Sequence, residues 1–376
     1  MSKEIKNVEA TEESNMFAEE KSERKLATIR RASEVCSIVG ADNIDLVKVD
    51  GWQCVTRKNE FRRLDLGVYF EIDSYLPVEE RYEFLRKTCF KSNAKNGDGF
   101  KLKTIKLRGQ LSQGLFLPLS LFPEIVEPKE KMDVTELLKV KKYAPMFHAK
   151  EKMVGYLPSF VRKTDLERVQ NCMDSVLMHK DKKFEVTIKL DGSSMTVYKK
   201  DDKFGVCSRN IDLAEDGNSH FWQAAKKYKF MEILKELGKN IAIQGELVGS
   251  GIQGNPENLT EQELFVFDIW NIDLQRYCLC SERMNLLKEI IAIGSKIGAK
   301  EILLAPMFDM FPLSKVLPAN RTPFECCECL LRMAEGISSF SGNEREGLVF
   351  KCLEIIDGGN FYFKAISNKY LLGKKE

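Results

Sequence analysis

The sequence predicts an α+β protein in two parts, a small antiparallel barrel followed by a larger domain of antiparallel sheets and helices. Short alternating apolar runs parted by turn residues fill the stretch from Leu26 to about Leu119, the spacing of a small all-β barrel. Beyond residue 150 the runs lengthen and are interleaved with helix-like stretches, of which Asn218 to Leu237 is one. Each later run also carries a charged or aromatic residue on one face, so distant strands could furnish a single pocket.

In chain order, residues 1–24 are mostly charged, without a sustained apolar period, and read as a disordered or loosely helical tail. Residues 25–143 form the predicted barrel. Its runs are ATIRRASEVCSI, NIDLVKVDGWQCVTRKN, DLGVYFEIDSYLP and FKLKTIKLRGQLSQGLFLPL, with Asp50-Gly51, Gly97, Gly99 and Gly109 as turn signals. An oligonucleotide-binding (OB) fold is the natural assignment. Between Arg86 and Arg108 lie Arg86, Lys87, Lys91, Lys95, Lys101, Lys103, Lys106 and Arg108 against the single acid Asp98. Phosphate contacts favour such a patch, with Phe90 and Phe100 available for stacking; a solvated basic face with both rings in the core fits equally well. A prolyl turn, a short amphipathic helix from Asp133 and charged linker follow, and the boundary falls near Tyr143, leaving residues 144–376 for the second domain.

Composition narrows the class. With 43% hydrophobic and 30% charged residues the chain is an ordinary globular protein, and its net charge of +2 leaves nucleic-acid binding to local patches. Eleven scattered cysteines do not form a disulfide framework and read as reduced thiols of an intracellular protein, in cytoplasm, nucleus or organelle. No apolar run approaches the roughly 20 residues of a membrane span.

The second domain is organised around FEVTIKLDGSSMTVYKK, Phe184 to Lys200. Alternation makes its first half a strand with Val186, Ile188 and Leu190 on one face and Thr187, Lys189 and Asp191 on the other. Gly192 removes a side chain at the strand end, where backbone can approach a ligand. Upstream, Thr164 or Asp165 is placed to cap a helix carrying Glu167, Arg168 and Gln170; Lys163 and Arg168 would then meet a phosphate or a ribose at its first turn, or merely face water.

Downstream, a return strand ends in Ser208-Arg209-Asn210. IAIQGELVG puts Ile241, Ile243 and Leu247 opposite Gln244 and Glu246. ELFVFDIW sets Phe265 and Phe267 on one face, with Val266 and Asp268 on the other. REGLVFK brings Glu346 to a strand entrance and Lys351 opposite Leu348 and Phe350, and NFYFKAISNKYLL presents Lys364 away from Phe361 and Phe363. The match of VGSGIQG to a dinucleotide fingerprint fails because Asn255-Pro256 stands where a packed helix should begin; it reads as a flexible loop at a pocket rim. Cys278, Cys280, Cys326, Cys327 and Cys329 lack zinc-site spacing and read as buried thiols.

A lysine amine attacks only when deprotonated, and burial among cations depresses its pKa. A nucleoside triphosphate with its divalent metal would supply the electrophile and part of that field. Lys189 would attack the α-phosphorus, Lys364 would neutralise charge on the α-phosphate, and Asp191 and Glu346 would hold a hydrated metal. Glu246 suits a ribose hydroxyl and Phe267 a base stack.

KLDGSS (189–194), SRN (208–210), QGELVG (244–249), ELFVFDIW (263–270), EGLVFK (346–351) and FKAISNK (363–369) resemble, in order and spacing, the motifs of the covalent nucleotidyltransferases, that is, polynucleotide ligases and mRNA capping enzymes. KTDLERVQN, with Arg168, and the N-terminal stretch ending in LRGQLSQGLFLPL resemble ATP-dependent RNA ligases in which an OB domain precedes the catalytic domain. The resemblance implies a nucleotidyltransferase domain of ATP-grasp-like antiparallel sheets and helices, with Lys189 adenylated, Glu246 on the ribose, Phe267 on the adenine, Glu346 linked to Mg2+ or Mn2+ and Lys364 on the α-phosphate. Arg168, Arg209 and Lys351 join the nucleotide-binding set, and Arg209, Asn210, Lys101 and Lys103 the RNA-binding set. The implied reaction joins 3′-OH and 5′-phosphate RNA ends, as in nick repair, through lysyl-AMP and then RNA-adenylate. Partner enzymes are expected to heal unsuitable ends.

DNA ligases and capping enzymes usually carry arginine where this chain has Ser194 and continue into a C-terminal OB domain, whereas here only twelve positions follow Lys364 (376−364). That favours RNA ligase over a capping guanylyltransferase or a DNA ligase-like enzyme; a non-catalytic RNA-binding protein is disfavoured because the nucleophile and carboxylates are present. Ile366 stands where a second lysine is usual, with Lys369 as the candidate substitute.

Overall fold

The structure, a computed structural model, describes residues 24–93, 97–143, 152–216 and 218–373. The expected tail up to residue 23, Lys95 and residues 144–151 at the start of the predicted second domain lie outside the described residues. The chain divides into two units, Met1–Val49 with Gln53–Met146 and Asp50–Trp52 with Phe147–Glu376.

The first unit is built from short strands because glycines and left-handed residues break its alternation every few positions. Leu66–Phe70 lies between Ala27–Arg31 and Leu115–Pro118, both antiparallel to it. A second sheet runs through Ser74–Pro77, Gly97–Lys101 and Phe90–Asn93, and a third through Glu34–Ser37, Ile44–Val49 and Trp52–Arg57. The hairpin Thr104–Leu107 and Gln110–Gln113 turns at Arg108 and Gly109, both at positive φ, the backbone a tight two-residue hairpin requires. The helix expected from Asp133 is instead one hydrogen-bonded turn. The Asp133 carboxylate accepts from Thr135 N at 3.0 Å, and Leu138 N donates to Val134 O at 3.0 Å. Val134 and Leu138 reach the barrel core from that turn. Phe100 is wholly buried there, with Phe90 packed beside it, so neither ring is a free stacking platform. Lys87, Lys91, Lys103, Lys106 and Arg108 are exposed.

The second unit holds two sheets, each coated by helices on one face. We label its main strands β1 (Lys183–Lys189), β2 (Ser193–Lys200), β3 (Lys203–Cys207), β4 (Ile241–Val248), β5 (Glu263–Asn271), β6 (Met307–Pro312), β7 (Gly347–Ile356) and β8 (Gly359–Ile366). Its helices are α1 (His220–Lys227), α2 (Phe230–Leu237), α3 (Cys280–Lys296), α4 (Pro323–Ala334) and α5 (Asn368–Gly373), with a short turn of helix at Met173–Met178. The larger sheet runs Met153–Tyr156, Ile211–Leu213, β3, β2, β4, β5, Arg276–Tyr277, and the smaller Glu167–Arg168, β8, β7, β1, β6.

Met195, Val197, Ile241, Ile243 and Leu247 pack on Phe230, Ile233 and Leu234 of α2 and on Leu287 and Ile290 of α3. Val186, Phe350 and Phe363 pack on Leu330 and Leu331 of α4, the Phe350 and Phe363 rings stacked at 4.8 Å. Period-2 alternation therefore sends the polar residues to the opposite faces. Ser194, Thr196, Gln244 and Glu246 line one, and Lys189, Lys351 and Lys364 the other. The 17-residue α3 was not anticipated, since its mixed charges give it only a weak apolar stripe.

Residues 164–170 do not form the predicted helix. Glu167–Arg168 adds a parallel edge to β8, setting Arg168 beside Lys364, and the α-helix starts only at Met173. An open strand edge supplies hydrogen bonds that a first helical turn would leave unmade. Cys278, Cys326 and Cys327 are buried and Cys280 and Cys329 half-buried; all eleven cysteines are free thiols. No helix among the described residues is long and apolar enough to cross a membrane.

Candidate active site

Lys189 ends β1 opposite Gly347, the first residue of β7, so the ladder itself delivers Glu346 to the lysine. The Lys189 ammonium donates to Glu346 Oε2 at 2.7 Å across a separation of 157 residues. Gly192 turns the chain from β1 into β2 hard against β4. A Cβ there would stand 2.4 Å from Leu247 O and 2.5 Å from Val248 Cγ1, so only glycine fits. This turn sets the Gly192 backbone N–H on the Glu246 carboxylate, and the β2–β4 ladder pairs Ser194 with Glu246. Lys189, Glu346, Glu246 and Asp191 thus share one field.

That field reverses the expectation of a depressed lysine. Burial opposes the charge on Lys189, but the carboxylates of Glu346, Glu246 and Asp191 outweigh it and hold the amine above its ordinary range. Burial also raises Glu246, to about 7, with Lys189 pulling the other way and Glu346 and Asp191 adding to the rise. Among the described residues no three His, Cys, Asp or Glu side chains are gathered closely enough to chelate a metal directly. Hard oxygen donors set apart around a lysine suit a hydrated Mg2+ or Mn2+ that keeps most of its water.

Phe267 owes its place to a bulge. Gln244 pairs with Asp268 and Gly245 with Val266, which leaves Phe267 as the extra residue of β5 and re-aims its side chain. It is half-buried between the buried Val266 and Asp268, and the simple alternation predicted for Phe265 to Asp268 does not hold. Behind it lies a buried ion network. The Lys351 ammonium donates to Phe267 O at 2.5 Å and pairs with Asp268 at 2.8 Å, while Arg283 bridges Asp268 at 3.3 Å and Glu185 at 2.6 Å. Lys351 is only 2% exposed, and its ammonium is engaged by the Phe267 carbonyl and the Asp268 carboxylate. Burial draws this lysine below its ordinary range against the pull of Asp268. Arg283, Asp268 and Glu185 were not singled out in the sequence, because charges on a strand or helix read as solvated faces.

Lys364 is half-buried on β8 with Val349 on one side and Arg168 on the other. Lys369 points elsewhere and pairs with Glu335 at 3.0 Å. Asp191, one of the expected metal carboxylates, accepts a hydrogen bond from the Tyr370 hydroxyl of α5, a residue no motif had marked.

Residues 160–165 form a strap over the polar face of the larger sheet. Phe160 O accepts from Trp270 Nε1 at 3.0 Å, Arg162 O from Gln244 Nε2 at 2.7 Å, and Lys163 O from the Tyr277 hydroxyl at 3.3 Å. Thr164 and Ser194 share a hydroxyl–hydroxyl bond of 2.7 Å, so Ser194 anchors the strap. Arg209 is tied to Asp165 at the strap's end, and Asn210 O accepts from Leu157 N at 2.9 Å. Lys101 lies in the first unit with its ammonium 4.2 Å from the centroid of the Tyr143 ring, and Lys103 there is exposed.

A family model described as an OB-fold domain matches residues 26–119, and one described as RNA ligase matches residues 182–366. Three solved structures of an RNA ligase from Naegleria gruberi are similar along nearly their whole length. The apo form of an aspartate-to-alanine variant is 44% identical, covering 93% of this chain and 97% of that one with a TM-score of 0.83. The form with PPi is 45% identical, covering 93% and 98%, at 0.83, and a glutamate-to-alanine variant with ATP and Mn is 44% identical, covering 93% and 98%, at 0.82. None of the curated proteins compared with the chain matches it.

The chain belongs to the RNA ligase family. Its OB-fold domain precedes the ligase catalytic domain, and Lys189, Glu246, Phe267 and Glu346 all lie on the ligase part of the match.

The raised Glu246 makes a prediction about the ligase free of nucleotide. Below 4.5, the ordinary value of its carboxyl, folded and unfolded chains both hold the proton. From there towards 7 the unfolded chain releases a proton that the folded one retains, so this residue costs stability as pH rises and the cost levels off above 7. In thermal melts from pH 4.5 to 8, Glu246→Gln should gain on the wild type up to pH 7 and then run parallel to it. A gap independent of pH would contradict the buried, raised carboxyl.

Proposed function

We propose that this protein is an ATP-dependent RNA ligase that seals 3′-OH and 5′-phosphate RNA ends, as in nick repair, with Lys189 as its covalent nucleophile. The observation that carries the reading is the meeting of Lys189 with Glu346 at 2.7 Å in a pocket shared with Glu246. The neutral Lys189 amine forms an N–P bond to the α-phosphorus, the α–β phosphoanhydride P–O bond breaks, and pyrophosphate leaves. AMP then passes to the RNA 5′-phosphate, and attack by the 3′-hydroxyl joins the ends and frees AMP.

Glu246 holds the ribose, Phe267 stacks on the adenine, and Lys364 with Arg168 neutralises the α-phosphate. Asp191 and Glu346 would hold a hydrated divalent cation. Mg2+ or Mn2+ held there would supply positive charge against the phosphates. The relatives solved with ATP and Mn or with PPi support this assignment of substrate and metal. Arg209 and Asn210 meet the RNA end, and the exposed basic surface around Lys103 meets its phosphates. Separate end-healing enzymes supply suitable ends. Eleven free thiols fit a reducing, intracellular compartment.

Incubation with α-labelled ATP and Mg2+ or Mn2+ should give an acid-stable, hydroxylamine-sensitive adduct that Lys189→Ala abolishes and that labelled GTP does not produce. Absence of the adduct from the wild type would refute the ligase reading. Charge reversal at Lys101 and Lys103 together should weaken sealing of nicked RNA by about tenfold or more, since phosphate contacts dominate affinity, while leaving the adduct intact. Unchanged sealing would remove that patch from the RNA path.

A further inference from the structure

The chain past the last motif is fastened to the strands that carry the site. Ser367 N donates to Glu346 O at 2.9 Å, and Tyr370 N donates to the Ser367 hydroxyl at 3.1 Å. Leu371 N closes the turn on Ser367 O at 3.0 Å. α5 is therefore pinned to the residue that holds Lys189, and its Tyr370 hydroxyl reaches Asp191 Oδ2. In that bond the phenol donates and the carboxylate accepts.

Asp191 lies two residues past the end of β1, in the turn that holds Gly192, and its carboxylate acts on the Lys189 ammonium from there; left unrestrained, it would compete with Glu346 for that charge. We propose that Tyr370 is a positioning residue that holds Asp191 off Lys189, so the nucleophile keeps one partner and one direction. Nothing in this role requires Tyr370 to touch a substrate. It places Asp191 through the hydroxyl–carboxylate hydrogen bond. Positioning of this kind raises the rate of the bound complex without tightening nucleotide binding.

This inference rests on Lys189 being adenylated. The test is single-turnover formation of the lysyl adduct by Tyr370→Phe across ATP concentrations. The saturating rate should fall about tenfold while the half-saturating ATP concentration stays within about twofold of wild type. The final adenylated fraction should be unchanged, which separates a slowed site from a misfolded one. The double variant Tyr370→Phe, Asp191→Asn should be no slower than Asp191→Asn alone, because the hydroxyl acts only through that carboxylate. A wild-type rate in Tyr370→Phe, a lost end-point in place of a lost rate, or independent losses in the double variant would each overturn the proposal. Failure of the wild type itself to form adduct would instead refute adenylation.

Discussion

The ion pair between Lys189 and Glu346 is the constraint on which the rest of the catalytic domain depends. It joins the end of one strand to the beginning of another far along the chain, and every neighbouring choice protects it. Gly192 lets the turn after Lys189 press against β4, which brings Glu246 into range. The β1–β7 ladder fixes Glu346, and the turn at Ser367 fastens its backbone from the other side. The result is an amine whose charge is stabilised by acids more strongly than burial penalises it. A neutral amine at Lys189 is therefore not a resting property of this fold. For the proposed attack by Lys189, bound nucleotide would have to alter the partners of Glu346, which would tie activation of the lysine to arrival of its substrate.

Charge is also used in the interior of the domain. Lys351, Asp268, Arg283 and Glu185 are removed from water as a connected set, in which each ion has a partner. The set braces the bulge that presents Phe267. On the opposite side the strap from Phe160 to Asp165 is tied down through three backbone carbonyls, a hydroxyl pair and an ion pair. Its anchor, Ser194, occupies the position at which DNA ligases usually carry arginine, so the departure noticed in the sequence has a structural use.

Strand periodicity made much of this visible in the sequence. Alternation alone placed Lys189, Glu246, Lys351 and Lys364 on polar faces and Ile243, Phe350 and Phe363 on apolar ones, because one side of each sheet is committed to helices. What alternation cannot express is a break in itself. The bulge at Phe267 arises from pairing with a strand some twenty residues earlier. Arg168 is held by the edge of β8, a partner unknown from local sequence, so capping logic favoured a helix there. Tyr370 follows the final motif in a short apolar turn, and its meeting with Asp191 is a product of topology. Arg283 reads as a surface charge until its two buried acids are placed.

The charge state of Lys189 is the most direct test of this account. Carbon-13 NMR titration of lysine-labelled protein without nucleotide, with the Lys189 resonance assigned by Lys189→Arg, reads it without any turnover. The amine should remain protonated past 10.5, the ordinary lysine value, and Glu346→Gln should bring its titration to lower pH. An amine already neutral at pH 8 in the wild type would contradict the claim that acidic neighbours, rather than burial, govern the nucleophile.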